Sequence, residues 1–594
     1  MAIVTAATTQ EKYDAIIVGS GAGGGQAAYT LAMEGAKVLL LEAGRNYDPL
    51  KETPMFQTNH DAPLRGSSTP DKNFGFYDAT IDGGWEVPGE PYVSASADPE
   101  RKFMWWRSRM LGGRTNHWAR IALRNGPYDF KPRSRDGLGF DWPIGYEDVA
   151  PYYDKVEMLV GVYGTNEGLE NTPDSPPGIL HPAPKPRLSE LLTRKGGKKL
   201  GIPIIPAHRA VMTKRLDHQT IPAKLHPNNP KAQRILAEDM QYRAACFWAT
   251  PCGRGCSIRA NYQSTTVHLP PAMATGNLDI LPNAMAREIT VDKAGRATGV
   301  AYIDKTTGRE GHVSGRIVVL AASACESVRV LLNSKSAQFP DGLGNSSGKV
   351  GRYIMDTVGS SVSGQFPLLE NLPPMNDDGA GGMHLYAPWW LYQEQLAGKL
   401  GFARGYHIEL WGGKSMPGMY GTGSKTYGRA LKEEARRYYG SSAGFSGRGE
   451  MIPNENSFCE LDPAVKDKWG IPVLRFHWQW SEHEIRQAAH MRRTFADLVS
   501  AMGGKVNGNP AMDGRKAISK GGEIIHEVGG AIMGADPKTS VTNQWGQTWD
   551  VKNVFLTDGA PFASNADKNP TLTIMALAWR SADHMLELLR KGEV

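Results

Sequence analysis

A glycine-rich turn between two short apolar runs constrains the fold of this chain more than any other feature. Residues 13–18 (Tyr-Asp-Ala-Ile-Ile-Val) have the continuous apolar character of a strand buried in a parallel sheet. The turn Gly-Ser-Gly-Ala-Gly-Gly follows at residues 19–24, and the sequence then predicts a helix over 26–35 and a second strand over 37–41. This order of elements predicts the strand–helix–strand unit that binds a dinucleotide.

Gly19, Gly21 and Gly24 are the predicted phosphate-binding residues of this unit. Their missing side chains allow a tight turn and bring the backbone close to a pyrophosphate, whose charge lies at the helix N-terminus. Glu42 follows Gly24 by 18 residues and ends the second strand, where its carboxylate is placed to accept a hydrogen bond from a ribose hydroxyl. The pattern does not distinguish a nicotinamide dinucleotide from a flavin dinucleotide.

Length and composition exclude several other kinds of protein. A chain of 594 residues is too long for one hydrophobic core, so we expect two or more domains. Its 67 basic and 61 acidic residues give a net charge of +6, too small for this length to predict nucleic-acid binding. The sequence contains no uninterrupted apolar run of about 18 residues, so we expect no direct membrane insertion. The N-terminal sequence lacks the basic and apolar regions of a signal peptide, so we expect a cytoplasmic protein unless a partner exports it.

Three of the five cysteines, Cys246, Cys252 and Cys256, are crowded into one short segment. Their odd number argues against a purely disulfide role, and no fourth cysteine or histidine in the segment completes a structural zinc site. Three thiolates suit an iron–sulfur cubane that lacks one iron corner. The alternative is a set of buried cysteines beside a glycine-rich turn, and the spacing alone leaves both open. Cys325 and Cys459 are isolated, and we expect them to be structural.

The rest of the chain gives weaker local patterns. Residues 124–245 show little long periodicity, and residues 366–450 are rich in glycine and aromatics and are expected to be irregular. Residues 286–305 alternate like a pair of strands, and 317–320 form another buried strand that leads into a helix ending near Asn333.

The last predicted helix runs from Pro570 to about Lys591. Asn569 is a plausible N-cap for this helix, and proline is favoured at the first helical position.

Trp389, Trp390 and His384 form an aromatic group in the glycine-rich segment. Aromatic side chains of this kind either pack in a core or provide a platform on which a sugar stacks. Both interpretations remain open from the sequence.

Several ordered motifs make the chain resemble the glucose–methanol–choline (GMC) family of oxidoreductases over nearly its whole length. The motifs are residues 19–24 with Glu42, 111–118 (Leu-Gly-Gly-Arg-Thr-Asn-His-Trp), 141–153, 526–534 (His-Glu-Val-Gly-Gly-Ala-Ile-Met-Gly), 558–559 and 569–570. The resemblance implies an α/β (α+β) fold, in which a Rossmann-like FAD-binding domain is interleaved with a substrate domain built on an antiparallel sheet. It implies FAD-binding segments 12–120, 245–350 and 526–594, and substrate-binding segments 121–244 and 351–525.

The resemblance also implies roles for individual residues. His526 is the implied general base, because imidazole titrates near neutrality, and Asn569 is expected to bind the substrate oxygen beside it. The implied flavin-binding residues beyond the first turn are Gly112, Gly113, Asn116, His117, Asp558, Gly559 and Pro570. His117 precedes a tryptophan, as does a histidine that bonds covalently to FAD in pyranose oxidases. The sequence leaves covalent and non-covalent FAD open, and we expect the non-covalent form.

Within the family, the cysteine spacing is similar to that of bacterial sugar dehydrogenases, in which three cysteines hold a [3Fe–4S] cluster. This likeness implies an FAD-dependent dehydrogenase that oxidises a secondary hydroxyl of a sugar or glycoside, with C3 of a glucoside as the expected position. It also implies electron transfer to a cytochrome c and a small partner subunit that exports the chain to the periplasm. The alternatives are a pyranose-oxidase-like flavoprotein with covalent FAD and no cluster, and a non-catalytic flavin-binding or chaperone-like subunit.

Overall fold

The computed structural model describes residues 3–594 except 54, 56–60, 74, 78, 249–250, 373–382 and 413–425. Two sheets organise the described part of the chain. The larger has seven strands, listed here from one edge to the other: Leu278–Leu281, Val38–Leu41, Tyr13–Val18, Glu310–Leu320, Ala297–Asp304 and Ala284–Val291, with Val554–Leu556 also paired to Glu310–Leu320.

The core of this sheet is parallel. Tyr13–Val18 pairs in parallel with Val38–Leu41 on one side and with the second half of Glu310–Leu320 on the other. The first half of Glu310–Leu320 instead pairs antiparallel with Ala297–Asp304. The parallel strands are almost completely buried, as their continuous apolar sequences predict. Their carboxyl ends meet at one edge, which is where ligands bind in open parallel sheets.

The glycine-rich turn is tighter than the sequence indicates. The helix that follows it spans Ala22–Met33 and therefore begins four residues before the predicted start, with Gly21 at the N-cap. The first helical turn is glycine-rich because it lies against other backbone segments: a Cβ at Gly23 would overlap the carbonyl oxygen of Thr557, and a Cβ at Gly24 would overlap that of Gly19. Gly19 itself has a φ of +98°, which favours glycine.

The second sheet has six antiparallel strands. In spatial order they are Lys505–Val506, Val358–Gln365, Ser442–Gly449, Tyr406–Gly412, Leu385–Ala387 and Ile205–Pro206. The long helix Glu482–Ala501 packs across one face of this sheet through buried side chains that include Met491 and Phe495.

The prediction of an irregular segment over 366–450 is wrong, because its described residues include three strands of this sheet and the helices Tyr392–Leu396 and Gly428–Tyr438. Residues 373–382 and 413–425 lie outside the described part. The glycines that obscured the strand pattern have a packing reason: Gly447 and Gly449 lie directly beneath the helix Glu482–Ala501, and a Cβ at either would overlap a helix side chain.

The predicted strand pair over 286–305 and the helix ending at Asn333 are present, but residues 124–245 contain helices that their sequence does not indicate. The α-helices of the described chain are Ala22–Met33, Pro49–Glu52, Pro127–Phe130, Pro132–Asp136, Tyr146–Val160, Leu188–Leu200, Thr220–Leu225, Pro230–Gln241, Ser264–Val267, Leu269–Ala274, Ala324–Asn333, Tyr392–Leu396, Gly428–Tyr438, Glu482–Ala501, Gly514–Ala517 and Thr571–Lys591. Among the described residues, no helix is long and apolar enough to cross a membrane.

Two smaller sheets complete the architecture. One joins Phe458–Lys466, Pro472–His477 and Val93–Ser94, and the other joins Gly83–Gly84 with Arg107–Ser108. The fold is thus the predicted combination of a Rossmann-like parallel sheet and an antiparallel sheet. Successive segments of the chain contribute strands first to one sheet and then to the other. We propose that the domain boundaries follow these two sheets, as the segments predicted from the sequence do.

Two glycines of the turn test two different roles: Gly24 allows backbone segments to pack closely, and Gly21 leaves space for the dinucleotide. Gly24→Ala forces a Cβ into backbone, so we expect the free energy of unfolding to fall by about 2 kcal/mol or more. Gly21 has no atom within 4 Å of an added Cβ, so the apoprotein of Gly21→Ala should unfold at the temperature of the wild-type apoprotein, while the purified variant retains less dinucleotide. Thermal unfolding and cofactor content measure the two effects. Equal unfolding temperatures for both variants would contradict this account.

Candidate active site

One cavity of about 470 Å³ lies where the two sheets meet. It begins at the glycine-rich turn and extends to His526 and Asn569, and its wall also includes Cys252. The edge of the parallel sheet, the antiparallel sheet and the start of the last helix all contribute to it. The cavity therefore connects the predicted dinucleotide site with the predicted catalytic pair.

Glu42 organises the dinucleotide end of the cavity. Its carboxylate accepts hydrogen bonds from the backbone N–H of Ser20 (3.2 Å), from the Ser20 hydroxyl and from the backbone N–H of Gly44 (2.6 Å). Burial raises the pKa of Glu42. Gly19, Gly21 and Glu42 line the cavity, whereas Gly24 lies behind it and packs the helix against the turn.

The second loop carries Gly112, Gly113 and Asn116. The N–H of Gly112 donates to the Ser20 hydroxyl at 2.8 Å, and this bond joins the second loop to the glycine-rich turn. The Asn116 amide donates to the Leu111 carbonyl at 2.8 Å and is fully buried. Only Gly113 of the three lines the cavity. Gly112 and Asn116 therefore shape the loop from behind.

Asp558, Gly559 and Pro570 also line the cavity. The Asp558 carboxylate accepts hydrogen bonds from the Ser327 hydroxyl and from the Ala560 N–H (2.9 Å), and burial raises its pKa to about 6. The helix Thr571–Lys591 begins at this wall, so its positive dipole end faces the cavity. This arrangement favours negative charge in a bound group.

His526 and Asn569 are in direct contact. The Nε2 atom of His526 accepts from the Asn569 amide at 3.3 Å, and its Nδ1 atom is 3.0 Å from the Thr357 hydroxyl. The backbone N–H of His526 donates to Asp356 at 2.9 Å. Burial, and then the nearby charge of Arg448, lower the pKa of His526 to about 3. The imidazole is therefore neutral at neutral pH and holds a lone pair on Nε2.

The prediction that Asn569 caps the last helix is wrong. Pro570 occupies the N-cap position, and no side chain caps the helix. The Asn569 side chain instead turns into the cavity, where its amide donates to Glu409 (3.2 Å) as well as to His526. Its Oδ1 atom is buried and has no hydrogen-bond partner among the described residues. An unpartnered acceptor beside a neutral imidazole suits a ligand hydroxyl.

Glu409 and Arg448 belong to this site but were not predicted from the sequence. They lie on adjacent antiparallel strands and form an ion pair of 2.8 Å in the cavity wall. Burial alone raises the pKa of Glu409, but the Arg448 guanidinium holds it well below its usual range. His407, on the same strand, is 3.5 Å from Glu409. Alternation along two paired strands was the only available signal, and the glycines of this segment concealed it.

His117 lines the cavity with both ring nitrogens engaged. Its Nε2 atom accepts from the Trp106 indole N–H at 3.1 Å, and its Nδ1 atom is 2.9 Å from the Ala79 carbonyl. Burial, and then the charge of Arg120, lower its pKa to about 3. A covalent bond to a flavin would require one of these hydrogen bonds to break.

Cys246, Cys252 and Cys256 surround a separate small pocket of about 20 Å³. None of the three forms a disulfide with a described residue, and Cys252 lies in the walls of both this pocket and the large cavity. Burial raises the pKa of Cys246 to about 12 and also raises that of Cys256. Cys325 and Cys459 are buried away from this pocket, in keeping with the structural role expected for them.

Two fully buried arginines lie between the cysteines and the second loop. Arg120 donates to the carbonyls of Cys252 (2.6 Å) and Asn116 (2.8 Å), and Arg209 donates to those of Ala119 and Met383. Neither pairs with a carboxylate among the described residues. Burial lowers the pKa of Arg120 to about 10, which still leaves it charged at neutral pH.

The aromatic group at 384–390 does not reach the cavity. Trp389 is buried against Tyr406 and Phe402, and neither it nor Trp390 nor His384 lines the cavity wall. The described structure therefore favours the core interpretation for Trp389 over the sugar platform.

Comparisons with known proteins agree with this geometry. Two family models, both described as GMC oxidoreductase, match residues 13–357 and 453–578. A 2-methyl-1,2-propanediol dehydrogenase from Mycolicibacterium austroafricanum is 29% identical, with 97% of this chain and 96% of the relative covered. The fructose dehydrogenase large subunit from Gluconobacter japonicus is 28% identical, with 98% of each chain covered.

A solved structure of a formate oxidase from Aspergillus oryzae RIB40 has a similar fold. Its TM-score is 0.63 at 15% identity, and the match covers 98% of this chain and 100% of that one. The family models together span more than half of the chain. The chain therefore belongs to the GMC family of FAD-binding oxidoreductases, as its motifs and its cavity indicate.

Proposed function

We propose that this protein is a dehydrogenase that oxidises a secondary hydroxyl of a sugar or glycoside, with C3 of a glucoside as the first candidate. The observation that carries the proposal is the contact between a neutral His526 and Asn569, at the end of the cavity that begins at the dinucleotide turn. The two enzyme relatives named above act, by their names, on a 1,2-diol and on a ketohexose. Both are uncharged compounds with vicinal hydroxyls.

The chain's residues supply the proton chemistry. The substrate hydroxyl replaces the 3.3 Å hydrogen bond between the Asn569 amide and Nε2 of His526: it accepts from the amide and donates to Nε2. Nε2 then takes its proton as the carbonyl forms. Thr357 holds Nδ1 at 3.0 Å and thereby keeps Nε2 directed at the substrate. Bound FAD supplies the acceptor for the hydride, that is, the electron pair of the C–H bond. The positive end of the helix Thr571–Lys591 favours the negative charge that reduction adds.

The experiment that tests this function is anaerobic reduction of the holoenzyme with a panel of sugars and glycosides, followed by NMR of the products. We expect bleaching of the flavin by a glycoside and a keto group at C3. His526→Ala should lower the rate of bleaching about a hundred- to ten-thousand-fold because it removes the general base, while FAD stays bound.

His477→Ala is the matched control, because this half-exposed histidine lies on the strand Pro472–His477 outside the cavity. It should reduce at the wild-type rate. Equal rates for His526→Ala and wild type would instead favour a non-catalytic flavin-binding subunit.

We also propose that Cys246, Cys252 and Cys256 hold a [3Fe–4S] cluster. The donor set fits this group, because three cysteine side chains converge on one pocket and two buried guanidiniums, without a carboxylate partner among the described residues, lie beside them. A buried cation without a carboxylate is costly unless an anion compensates it, and thiolates with their cluster supply that anion. When bound, the cluster would carry single electrons away from the flavin. Cys252 shares a wall with the flavin cavity, which supports this role.

A dehydrogenase of this kind needs an external acceptor. We propose a cytochrome c as the acceptor, and a small partner subunit that brings the chain to the periplasm by co-export. The name of the fructose dehydrogenase relative, a large subunit, supports a multi-subunit assembly. Without such a partner, we expect the chain in the cytoplasm.

Substitution of one cysteine ligand should remove the cluster and leave the flavin bound. In anaerobically prepared Cys252→Ser, we expect loss of iron, of sulfide and of the paramagnetic signal of the oxidised protein, with FAD retained. Cys459→Ser, at a buried cysteine far from the pocket, should keep all three. Wild-type protein without iron would disprove the cluster and favour the pyranose-oxidase-like alternative.

His117 gives a further test. Because both of its ring nitrogens are hydrogen-bonded within the protein, we expect FAD to be bound without a covalent link. Denaturation in acid should release all of the FAD into the supernatant, as measured by absorbance and by the mass of the chain. A chain whose mass includes FAD would contradict this expectation and would require one of the two hydrogen bonds of His117 to be broken in the holoenzyme.

A further inference from the structure

The ion pair of Glu409 and Arg448 has features that the proton chemistry does not explain. It lies in the cavity wall next to the catalytic pair, and Glu409 is directly hydrogen-bonded to Asn569. Both charges are largely buried, with 13% and 17% of their side chains exposed. Burying two charges costs several kcal/mol per ion, which their attraction offsets only with good geometry. A pair retained at this position is therefore a candidate for ligand recognition.

The two side chains are held rigidly. Glu409 lies on the strand Tyr406–Gly412 and Arg448 on the strand Ser442–Gly449, and these strands are paired over seven residues. Arg448 is also bonded to the Ser446 hydroxyl at 2.5 Å and to the Gly447 carbonyl at 2.9 Å. The sheet thus fixes one acceptor and one donor side by side in the wall.

We propose that Glu409 and Arg448 form a subsite for the hydroxyl next to the one that is oxidised, and that Glu409 restricts the substrate to uncharged polyols. This inference rests on the proposed function, because it names the substrate class of the same site. A vicinal diol matches the pair: one hydroxyl lies between His526 and Asn569, and its neighbour donates to the carboxylate and accepts from the guanidinium.

Charge explains the restriction. Arg448 alone would attract the carboxylate of a sugar acid, since a guanidinium is well suited to bind a carboxylate. Glu409 already occupies that position and would repel a second carboxylate inside a buried cavity. A neutral diol avoids this repulsion and leaves the ion pair intact.

Glu409→Gln tests the inference, with initial rates of flavin reduction by a neutral methyl glucoside and by gluconate. Hydrogen bonds to charged groups contribute about 1.5–3 kcal/mol, so we expect kcat/KM for the glucoside to fall roughly 10- to 100-fold. For gluconate we expect kcat/KM to rise, because Arg448 is then free to bind its carboxylate. The ratio between the two substrates is the diagnostic quantity, since a merely structural role would lower both values alike.

Glu433→Gln is the matched control, because Glu433 pairs with Arg429 on an exposed helix surface outside the cavity. It should leave both values unchanged. The double variant Glu409→Gln/Arg448→Gln leaves no unpaired charge, so it provides a folded protein if the single variant loses its FAD. In the double variant we expect the loss for the glucoside and a smaller gain for gluconate than in Glu409→Gln, because the repulsion is removed but the guanidinium is absent.

The pH dependence gives a second readout. The charged and titratable groups facing His526 are Glu409, His407 and Arg448 from the antiparallel sheet, Arg114 from the second loop, and Asp356, which accepts from its backbone. Arg448 lowers the pKa of His526, so Arg448→Gln should shift the acidic limb of kcat/KM to higher pH. Glu433→Gln should not move this limb.

The outcomes separate the two proposals. If wild-type FAD is reduced by no sugar or glycoside, the proposed function fails. If the glucoside reduces it but Glu409→Gln leaves the ratio of glucoside to gluconate unchanged, only the subsite and its charge restriction are overturned.

Discussion

Parallel strands that end at a common edge are the constraint on which the rest of the structure depends. Tyr13–Val18 leads into the glycine-rich turn, Val38–Leu41 into Glu42, and Val554–Leu556 into Asp558. Each strand is apolar and buried, so the polar residues that follow it emerge at the same place. Glycines at that edge then bring backbone segments into contact, which leaves room for a dinucleotide rather than for side chains.

The second sheet adds an ordered set of charges to this edge. Its strands place Glu409 and Arg448 in the cavity wall that also contains the start of the last helix. Asn569 donates hydrogen bonds to both Glu409 and His526, and so connects the antiparallel sheet to the imidazole. The imidazole is thereby surrounded by one anion and one cation that compensate each other. Its low pKa follows from burial more than from any single charge. The imidazole is kept neutral while the cavity wall around it remains polar.

The sequence predicted the parts of the fold that depend on local pattern. The glycine-rich turn and its strands were predicted from this pattern, and Glu42, His526 and Asn569, named from the motifs, line one cavity. It failed where tertiary packing decides. Glycines beneath the helix Glu482–Ala501 concealed the strand Ser442–Gly449 and with it Arg448, and the strand pairing that places Glu409 beside Arg448 was not visible in the sequence. The sequence position of Asn569 is typical of an N-cap, but its side chain lies in the cavity instead, because it donates hydrogen bonds to a buried carboxylate and an imidazole.

Under the proposed function, Cys252 and the neighbouring Arg120 would relate the proton path to the electron path. The proton would leave the substrate at His526, on the side of the antiparallel sheet, whereas Cys252 lies in the cavity wall with the second loop. Arg120 donates to the carbonyls of both Cys252 and Asn116, so it joins the cysteine segment to the loop that shapes the flavin site. Among the described residues this guanidinium has only carbonyl partners and is poorly compensated, and an anionic group at the thiols would correct this imbalance. Arg120 would then keep the proposed cluster at a fixed distance from the flavin site. Its positive charge would also stabilise the negative charge that an electron brings to the cluster.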